Sequence, residues 1–542
     1  MSMLGNLQEM SMPLAATTVL GGVSLVLLFF FLKGSKYTRK NKGSSELASL
    51  PKVRGLPIVG NLLQLKEKKP LKAFKKWAEI YGPIHSIRTG ASTAVVLNSA
   101  DLAKEAMVTR YSSISTRNLS SALQILTANR CMVATSDCNE FYKIAKRYIL
   151  AGVLGANAQK RLRRHQDTMI KNLSIELHAR VNSNPLEAVN FRKVFENQNF
   201  VLALKEVLGR EVKSIYVDEL EATLSKEEIY KALVTDIIAG AIEVDWRDFF
   251  PYLRWIPNKQ WEKKIRAVSL CRNIVTKAMI REQKQQIASG EESDAYIDFL
   301  ISEGTTLTEE QIAILLWEAI IETTDSTTVL TEWALYELAK DAKRQNQLYE
   351  EIEEVCGSER VTEDHLSQLP YLAAVFHETL RKYSPVPVVP LRYVHEDTQL
   401  GGYFVPAGSR IAINIYGCNM DKQHWEDPEN WTPERFLDER YDLADLYKTM
   451  SFRAGKRACA GACQVMLVYC TAIGRLVQEF EWRVRDDERE NVDMDGLTTH
   501  KLHPMQAMLK LRGDWFEVEE IIVETEVDLN PGQCFCCILF GF

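Results

Sequence analysis

Phe452-Arg453-Ala454-Gly455-Lys456-Arg457-Ala458-Cys459-Ala460-Gly461 spells F-x-x-G-x-R-x-C-x-G, and no other stretch of the chain restricts its architecture as much. A pattern with five fixed positions in ten arises by chance in about one chain in ten thousand of this length. Each fixed residue has a physical task. Glycine lets the backbone approach a flat macrocycle, Arg457 offers a fork to a carboxylate, and Cys459 supplies sulfur. The apolar-periodic run from Gln464 to Phe480 predicts a helix, so Cys459 falls at a helix N-terminus, where the dipole and free N–H groups stabilise a thiolate. A lone cysteine among 11 ordinarily packs as a small apolar residue. The pattern around this one gives the setting that a haem iron needs.

Glu378 and Arg381 form E-x-x-R, a spacing that puts both side chains on one helix face. Alone, such a pair is usually a solvated ion pair worth under about 1 kcal/mol. Here it precedes Pro433-Glu434-Arg435-Phe436, and the cysteine loop follows both. In order and spacing the three motifs resemble the cytochrome P450 superfamily. The resemblance implies a buried cluster of Glu378, Arg381 and Arg435 that braces the loop, with Cys459 as axial ligand of haem b. It also implies that Phe452 and Gly461 shape the loop, and that Arg392 and Arg457 neutralise the haem carboxylates. Where the superfamily has W-x-x-x-R against a propionate, this chain has Tyr142 and Lys146, which keep a donor and a positive charge. Arg453 stands where a small residue is usual.

Thiolate ligation favours O–O cleavage, a reaction that consumes two protons. Glu322-Thr323-Thr324-Asp325-Ser326-Thr327 lies within a helical pattern from Thr308 to Lys340, opened by a Thr308-x-x-Gln311 capping box. Hydroxyl-rich runs are poor helix material, so a local distortion is expected there. Asp325 with Ser326 or Thr327 can form a proton relay; the competing reading is a polar stripe facing solvent or a neighbouring helix. Ser326 replaces the superfamily's usual threonine, keeping the hydroxyl but losing the methyl that stiffens the rotamer. Glu322 and Thr323 replace small residues.

Pro13 to Leu32 contains twenty uncharged, mostly apolar residues, enough to cross a bilayer. Lys33, Lys36, Arg39, Lys40 and Lys42 follow it, and Glu9 is the only charged side chain before it, which places the bulk of the chain in the cytosol. A cleaved signal peptide is the alternative, disfavoured by the length of the run and the downstream basic side. Pro51 to Asn61 reads as a stiff proline hinge like that of microsomal family members. In a reducing cytosol the cysteines stay thiols, and the sequons at Asn118, Asn172 and Asn430 carry no glycan.

Few strand patterns appear, Thr93 to Leu97 and Arg410 to Ile415 among them, within long amphipathic helical patterns. The expected fold is mainly α with a small β-sheet region, preceded by one transmembrane helix. The expected organisation is a short lumenal end (1–12), an anchor (13–32), a basic and proline-rich hinge (33–61), a haem-thiolate domain (62–513) and an atypical tail (514–542). A net charge of −6 gives nucleic acid no purchase. Lys143, Lys146, Arg147 and Lys456 offer a docking face for an acidic electron donor, or a solvated cluster.

Ile87–Ser92, Tyr111–Arg117, Val244–Tyr252 and Tyr416–Met420 are similar to the plant ent-kaurene oxidase family. That similarity implies an endoplasmic-reticulum enzyme, with the plastid outer envelope as the other location. It implies electrons from NADPH through a cytochrome reductase, O2, and a hydrophobic diterpene whose C4α methyl is oxidised to a carboxylic acid for gibberellin synthesis. Kaurene-oxidase-like hydroxylases of defence metabolism are the alternative, and a haem- and terpenoid-binding protein without catalysis is another. The resemblance places substrate contacts at Ser120 to Cys131, Ile320 to Ser326, Val386 to Leu391 and Leu502 to Met505. The tail beyond Gly513 ends in a Cys534–Cys537 cluster and carries no prenylation signal. It is expected to be dispensable, and truncation after Gly513 checks this by haem content and activity.

Overall fold

The computed structural model describes residues 48–67, 69–290, 295–302, 306–488, 493–495 and 498–513. The expected anchor and tail lie outside these residues, and among the described residues no helix is long and apolar enough to cross a membrane.

The helices that frame the site are α1 (Pro70–Tyr81), α2 (Ser121–Leu126), α3 (Glu140–Ile149), α4 (Ala156–Ser183), α5 (Phe191–Leu208), α6 (Glu309–Lys340), α7 (Pro370–Lys382) and α8 (Ala462–Glu479). Helix α6 starts where the sequence placed it. Thr308 Oγ1 accepts from Gln311 N at 3.2 Å and Thr308 N donates to Gln311 Oε1 at 2.9 Å, the reciprocal capping box. Helices α6 and α8 are buried on nearly every face, which marks them as central. The second half of α6 packs with α7 and α8 in one apolar core, and its first half packs in a second core with α2 and α3.

The expected distortion in α6 is not a break, because the helix is continuous through the hydroxyl cluster. The side chains bond back along the helix instead: Thr324 Oγ1 to Ile320 O at 2.7 Å, Ser326 Oγ to Glu322 O at 3.1 Å and Thr328 Oγ1 to Thr324 O at 2.8 Å. Asn199 of α5 adds a clamp from outside, its Nδ2 donating to Thr324 O at 2.9 Å and Thr323 O at 3.3 Å.

The main sheet contains β1 (Ile84–Thr89), β2 (Ser92–Leu97), β3 (Thr116–Arg117), β4 (Val388–Tyr393) and β5 (Arg410–Asn414), in the order β1-β2-β5-β4-β3. Strand β2 carries three successive fully buried residues, Val95, Val96 and Leu97, as a strand covered on both faces requires. Strands β1–β2, β5–β4 and β3–β4 pair antiparallel and β5–β2 parallel, a register that sets Arg117 directly opposite Arg392. The proline-rich segment docks on β1, with Val53 N donating to Ser86 O at 2.9 Å and Ser86 N to Pro51 O at 2.7 Å. A small hairpin, β6 (Met494–Asp495) with β7 (His500–Lys501), closes against α6, where Trp333 Nε1 donates to Thr499 O at 2.7 Å.

Candidate active site

The cysteine loop closes on itself through Cys459 N donating to Phe452 O at 2.9 Å and Ala458 N to Gly455 O at 3.0 Å. Gly455 has φ +71°, and a Cβ there would stand 2.7 Å from Met107 O, so the motif's first glycine is a steric requirement. Phe452 is buried beside Phe376 and Tyr447, each 6.4 Å between ring centroids. Helix α8 begins at Ala462 with Gly461 at its N-cap, and the Gly461 N–H acts on the Cys459 sulfur in the direction that favours the thiolate. That is the direction expected of a helix start, but it does not make the free thiol acidic overall. Burial pushes the Cys459 thiol up and Glu322 adds to this, against the pull of Arg453, the Gly461 N–H and Lys146. A cationic metal on the sulfur reverses that balance.

Tyr142 and Lys146 of α3 both address the loop: Tyr142 OH donates to Lys456 O at 2.7 Å, and Lys146 Nζ donates to the same oxygen at 2.7 Å. Lys146 is therefore bonded to the loop's backbone rather than free to reach a carboxylate. Of the proposed docking cluster, Lys143 pairs with Glu140 at 2.5 Å and Lys456 lies over the Tyr111 ring at 5.2 Å.

Behind the loop, Arg381 Nε donates to Glu378 Oε2 and Arg381 Nη2 to Glu378 Oε1, both at 2.7 Å, and both side chains are fully buried. Arg435 Nε stands 3.1 Å from Glu378 Oε2, close enough for an ion pair, though off the angle of a hydrogen bond. Arg381 also ties down the carbonyls of Asn419 (2.9 Å), Pro428 (2.9 Å) and Asn430 (3.1 Å). The motif that is usually a solvated pair is here a buried three-residue brace.

Four guanidinium groups converge near the cysteine: Arg117, Arg392, Arg453 and Arg457. Like charges opposite one another across two strands are unfavourable, yet Arg117 and Arg392 stand in that relation. All three side-chain nitrogens of Arg392 are buried without a hydrogen-bond partner. Burial, with Arg457 and Arg453 close by, lowers Arg392 to about 10. Arg117 is held far below the usual range by burial and by Arg453, Arg392 and Arg457, while its Nε and Nη1 donate to Ala134 O and Pro390 O, each at 3.1 Å. Arg457 bonds Ser136 O and lies over the Tyr142 ring at 4.9 Å, leaving its Nε unpartnered. Buried cations with orphaned donors demand an anion. Among the described residues no group of three or more His, Cys, Asp or Glu side chains could hold a bare metal ion. One thiol beside a nest of arginines fits a metal that brings its own macrocycle and its own carboxylates, which is haem.

Arg453 fits less well. It has φ +66°, the left-handed region, and sits deep between Cys459 and Glu322, whose charges both act on it. A non-glycine residue there costs about 1–3 kcal/mol, against about 0.4–1 kcal/mol for the extra freedom of glycine in the unfolded chain. Arg453→Gly is therefore expected to stabilise the protein by about 1 kcal/mol and to raise haem content, checked by urea denaturation and by haem per polypeptide. A lowered midpoint would show that the arginine earns its place.

Across from the loop lies α6. Glu322 and Ser326 stand one turn apart, and the Glu322 carboxyl lies near enough to Cys459 and Arg453 for its charge to act on both. Burial raises the Glu322 carboxyl to about 7, opposed by Arg453 and Arg117. Thr327 is buried, and its carbonyl accepts from Thr331 Oγ1 at 2.8 Å. Asp325 turns away from Ser326 and pairs with His500 Nε2 at 2.8 Å. One turn earlier, fully buried Glu318 accepts from the backbone N–H groups of Val133 and Ala134 at 2.9 Å each, stapling the end of the 120–134 loop to α6. In that loop α2 is capped by Ser120, and Ala128, Asn129 and Arg130 all have positive φ. The sequence gives no local sign of Arg117, Glu318 or His500 as site residues.

A cytochrome P450 family model matches residues 50–509. The chain belongs to the cytochrome P450 family. Ent-kaurene oxidase of Salvia miltiorrhiza is 58% identical over 494 residues, covering 91% of this P450 and 94% of that protein. Ent-kaurene oxidase 2 of Oryza sativa subsp. japonica is 56% identical, covering 85% and 92%. The ent-sandaracopimaradiene 3-hydroxylase of the same rice is 50% identical, covering 85% and 91%. A zebra fish cytochrome P450 structure with abiraterone superposes with a TM-score of 0.65 at 18% identity, covering 82% of this chain and all of that one, which shows the fold. The protein is thus a P450 monooxygenase of ent-kaurene oxidase type. Haem supplies the oxygen chemistry when bound. Cys459 would hold its iron and Arg392, Arg457 and Arg117 would face its carboxylates, with the buried Glu378–Arg381–Arg435 cluster beneath.

Proposed function

We propose that this P450 oxidises the C4α methyl of ent-kaurene stepwise, through alcohol and aldehyde, to ent-kaurenoic acid. The observation that carries the reading is 58% identity spanning 91% of the chain with an ent-kaurene oxidase. The residues expected around the substrate agree in chemistry: Ile125, Cys131, Ile321, Val388 and Leu391 are partly buried apolar or soft side chains. Asp325 and Ser326 or Thr327 move protons, and Arg392 and Arg457 hold the carboxylates of haem b. Electrons come from NADPH through a cytochrome reductase that docks on the α3 and Lys456 face.

The protein works from the endoplasmic-reticulum membrane, anchored through 13–32. Exposed apolar side chains support membrane contact: Leu56 (52%), Ile58 (50%), Val244 (65%) and Trp255 (78%) lie on two segments joined through Gly90 and Ala91, with Gly90 N donating to Val59 O at 3.2 Å and Ala91 N to Phe249 O at 2.9 Å.

Sequential oxidation at one methyl requires alcohol and aldehyde to return with the same carbon over the metal, so pocket shape sets how far the reaction runs. The second reading, a ring hydroxylase of a related diterpene, draws on the 50% identity to the rice 3-hydroxylase. One methylene changes pocket discrimination by only about 1–3 kcal/mol, so close relatives diverge easily. Incubation with reductase, NADPH and ent-kaurene or related dienes, followed by mass spectrometry, decides between them. Ent-kaurenoic acid is the expected product; a hydroxylated diterpene without the acid would transfer the assignment, and no product from haem-loaded protein would indicate a binder. In the same assay Ser326→Ala is expected to raise peroxide release relative to product, and Ser326→Thr to preserve or improve coupling. Parental coupling in Ser326→Ala would move the hydroxyl's role to Thr327.

A further inference from the structure

His500 Nε2 lies 2.8 Å from Asp325 Oδ1 and is the only side-chain partner of that carboxyl among the described residues. The imidazole is delivered by the β6–β7 hairpin, which is fastened on both sides of it: Trp333 Nε1 to Thr499 O, and Arg192 Nη2 to Lys501 O at 2.6 Å. Its second ring nitrogen, Nδ1, is buried without a partner. A surface histidine that merely caps an acid leaves that nitrogen in water. Here the charges of Arg192 and Glu196 of α5 act on the ring, and Glu332 of α6 and Tyr230 lie within reach of Glu196. Arg192 is already committed to Glu332, its Nε donating to Glu332 Oε2 at 2.8 Å, and Met505 N donates to Glu332 Oε1 at 2.8 Å. Lys501, next in the chain, is turned to Glu488 at 3.2 Å. Glu196 is left as the acid whose charge reaches His500 without a committed cation. It lies one helical turn before Asn199, which clamps the α6 carbonyls beside Asp325.

We propose that His500 is a proton-donating positioning residue that loads Asp325. The proton on Nε2 passes to Asp325 Oδ1, Nδ1 keeps its own, and Nε2 of the partly exposed ring regains a proton from solvent. No electrons move, and each proton that leaves toward the reduced oxygen is replaced from water. One shift agrees with this order. Burial alone would lower the His500 imidazole, but its hydrogen bond to Asp325 and the charges of Asp325 and Glu196 outweigh it, so the ring stays protonated to higher pH than usual.

The inference rests on reading Asp325 as the acid of the relay, and the experiment separates the two. Peroxide released per NADPH is measured for the haem-loaded, reductase-coupled parent and for Asp325→Asn and His500→Gln, from about pH 6 to about pH 9. Gln at 500 can still donate to Asp325 but cannot pass a proton on. The parent is expected to lose coupling as pH rises through the His500 pKa, whereas His500→Gln is expected to release roughly three- to tenfold more peroxide with a flat pH profile. Histidine resonances of the ferrous, carbon monoxide-bound protein give a readout independent of turnover: the His500 signal should titrate above an ordinary imidazole and shift down in Asp325→Asn. A His500→Gln protein with parental partition and pH profile, or a His500 signal with an ordinary pKa, would overturn the proposal while leaving Asp325 in place. Parental coupling in Asp325→Asn would instead remove the relay reading itself. Because peroxide partition needs only a substrate that triggers turnover, it stands apart from which diterpene is oxidised.

Discussion

Cys459→Ala is expected to erase the thiolate signature of the reduced, carbon monoxide-bound protein and all turnover, while leaving the polypeptide folded. The loop around the sulfur is held by contacts that alanine keeps: Cys459 N to Phe452 O, the two α3 donors on Lys456 O, and the buried Phe452 ring. Losing one small thiol should change stability by about 1 kcal/mol, whereas losing the sulfur proposed to hold the iron should remove the chemistry altogether. The spectrum is the decisive measurement, and far-ultraviolet circular dichroism controls for folding. A red-shifted Soret band surviving in the variant would point to Cys463, on the first turn of α8, as the ligand.

Glu378→Ala is expected to be nearly as damaging for a different reason. Removing one member of a buried ionic group strands the others, at a cost of about 3–5 kcal/mol, a large part of the stability of most domains. Here two arginines are stranded, and one of them, Arg381, holds three carbonyls of the 419–430 segment leading to Arg435. The expected result is little or no haem protein, read as carbon monoxide signature per total polypeptide. Glu378→Gln separates charge from hydrogen bonding: it keeps an acceptor for Arg381 but leaves both guanidiniums without a counter-charge, and should recover only partly. A Gln variant equal to the parent would mean that the brace works by hydrogen bonds alone.

These two sites were legible in the sequence because their chemistry is written within short segments. The cysteine loop and E-x-x-R place their partners within ten residues, and the start of α6 is announced by Thr308 and Gln311. Glu318, His500 and the role of Arg117 were silent because the fold creates them from distant pieces. Glu318 meets Val133 across 185 positions and His500 meets Asp325 across 175, and neither residue has a local pattern to mark it. Arg117 lies in a segment that resembled the family, but its role follows only from the strand register that faces it to Arg392. The direction of Asp325 was also beyond the sequence. Spacing places it next to Ser326, yet successive helix residues point about 100° apart, and that turn sends the acid to α5 and the hairpin rather than to the hydroxyl.

The nest of arginines also bears on how the polypeptide reaches its native state. Folding alone brings Arg117, Arg392, Arg453 and Arg457 together at an energetic loss, recovered only when a dianion settles among them. A ligand that binds the native form and not the unfolded chain stabilises by RT ln(1 + [L]/Kd), about 2.7 kcal/mol at a hundredfold excess over Kd. Haem is in that sense a folding partner as much as a reagent. The amount of soluble protein a cell accumulates should follow its porphyrin supply, and precursor feeding during expression should raise the yield of chain and not merely its occupancy.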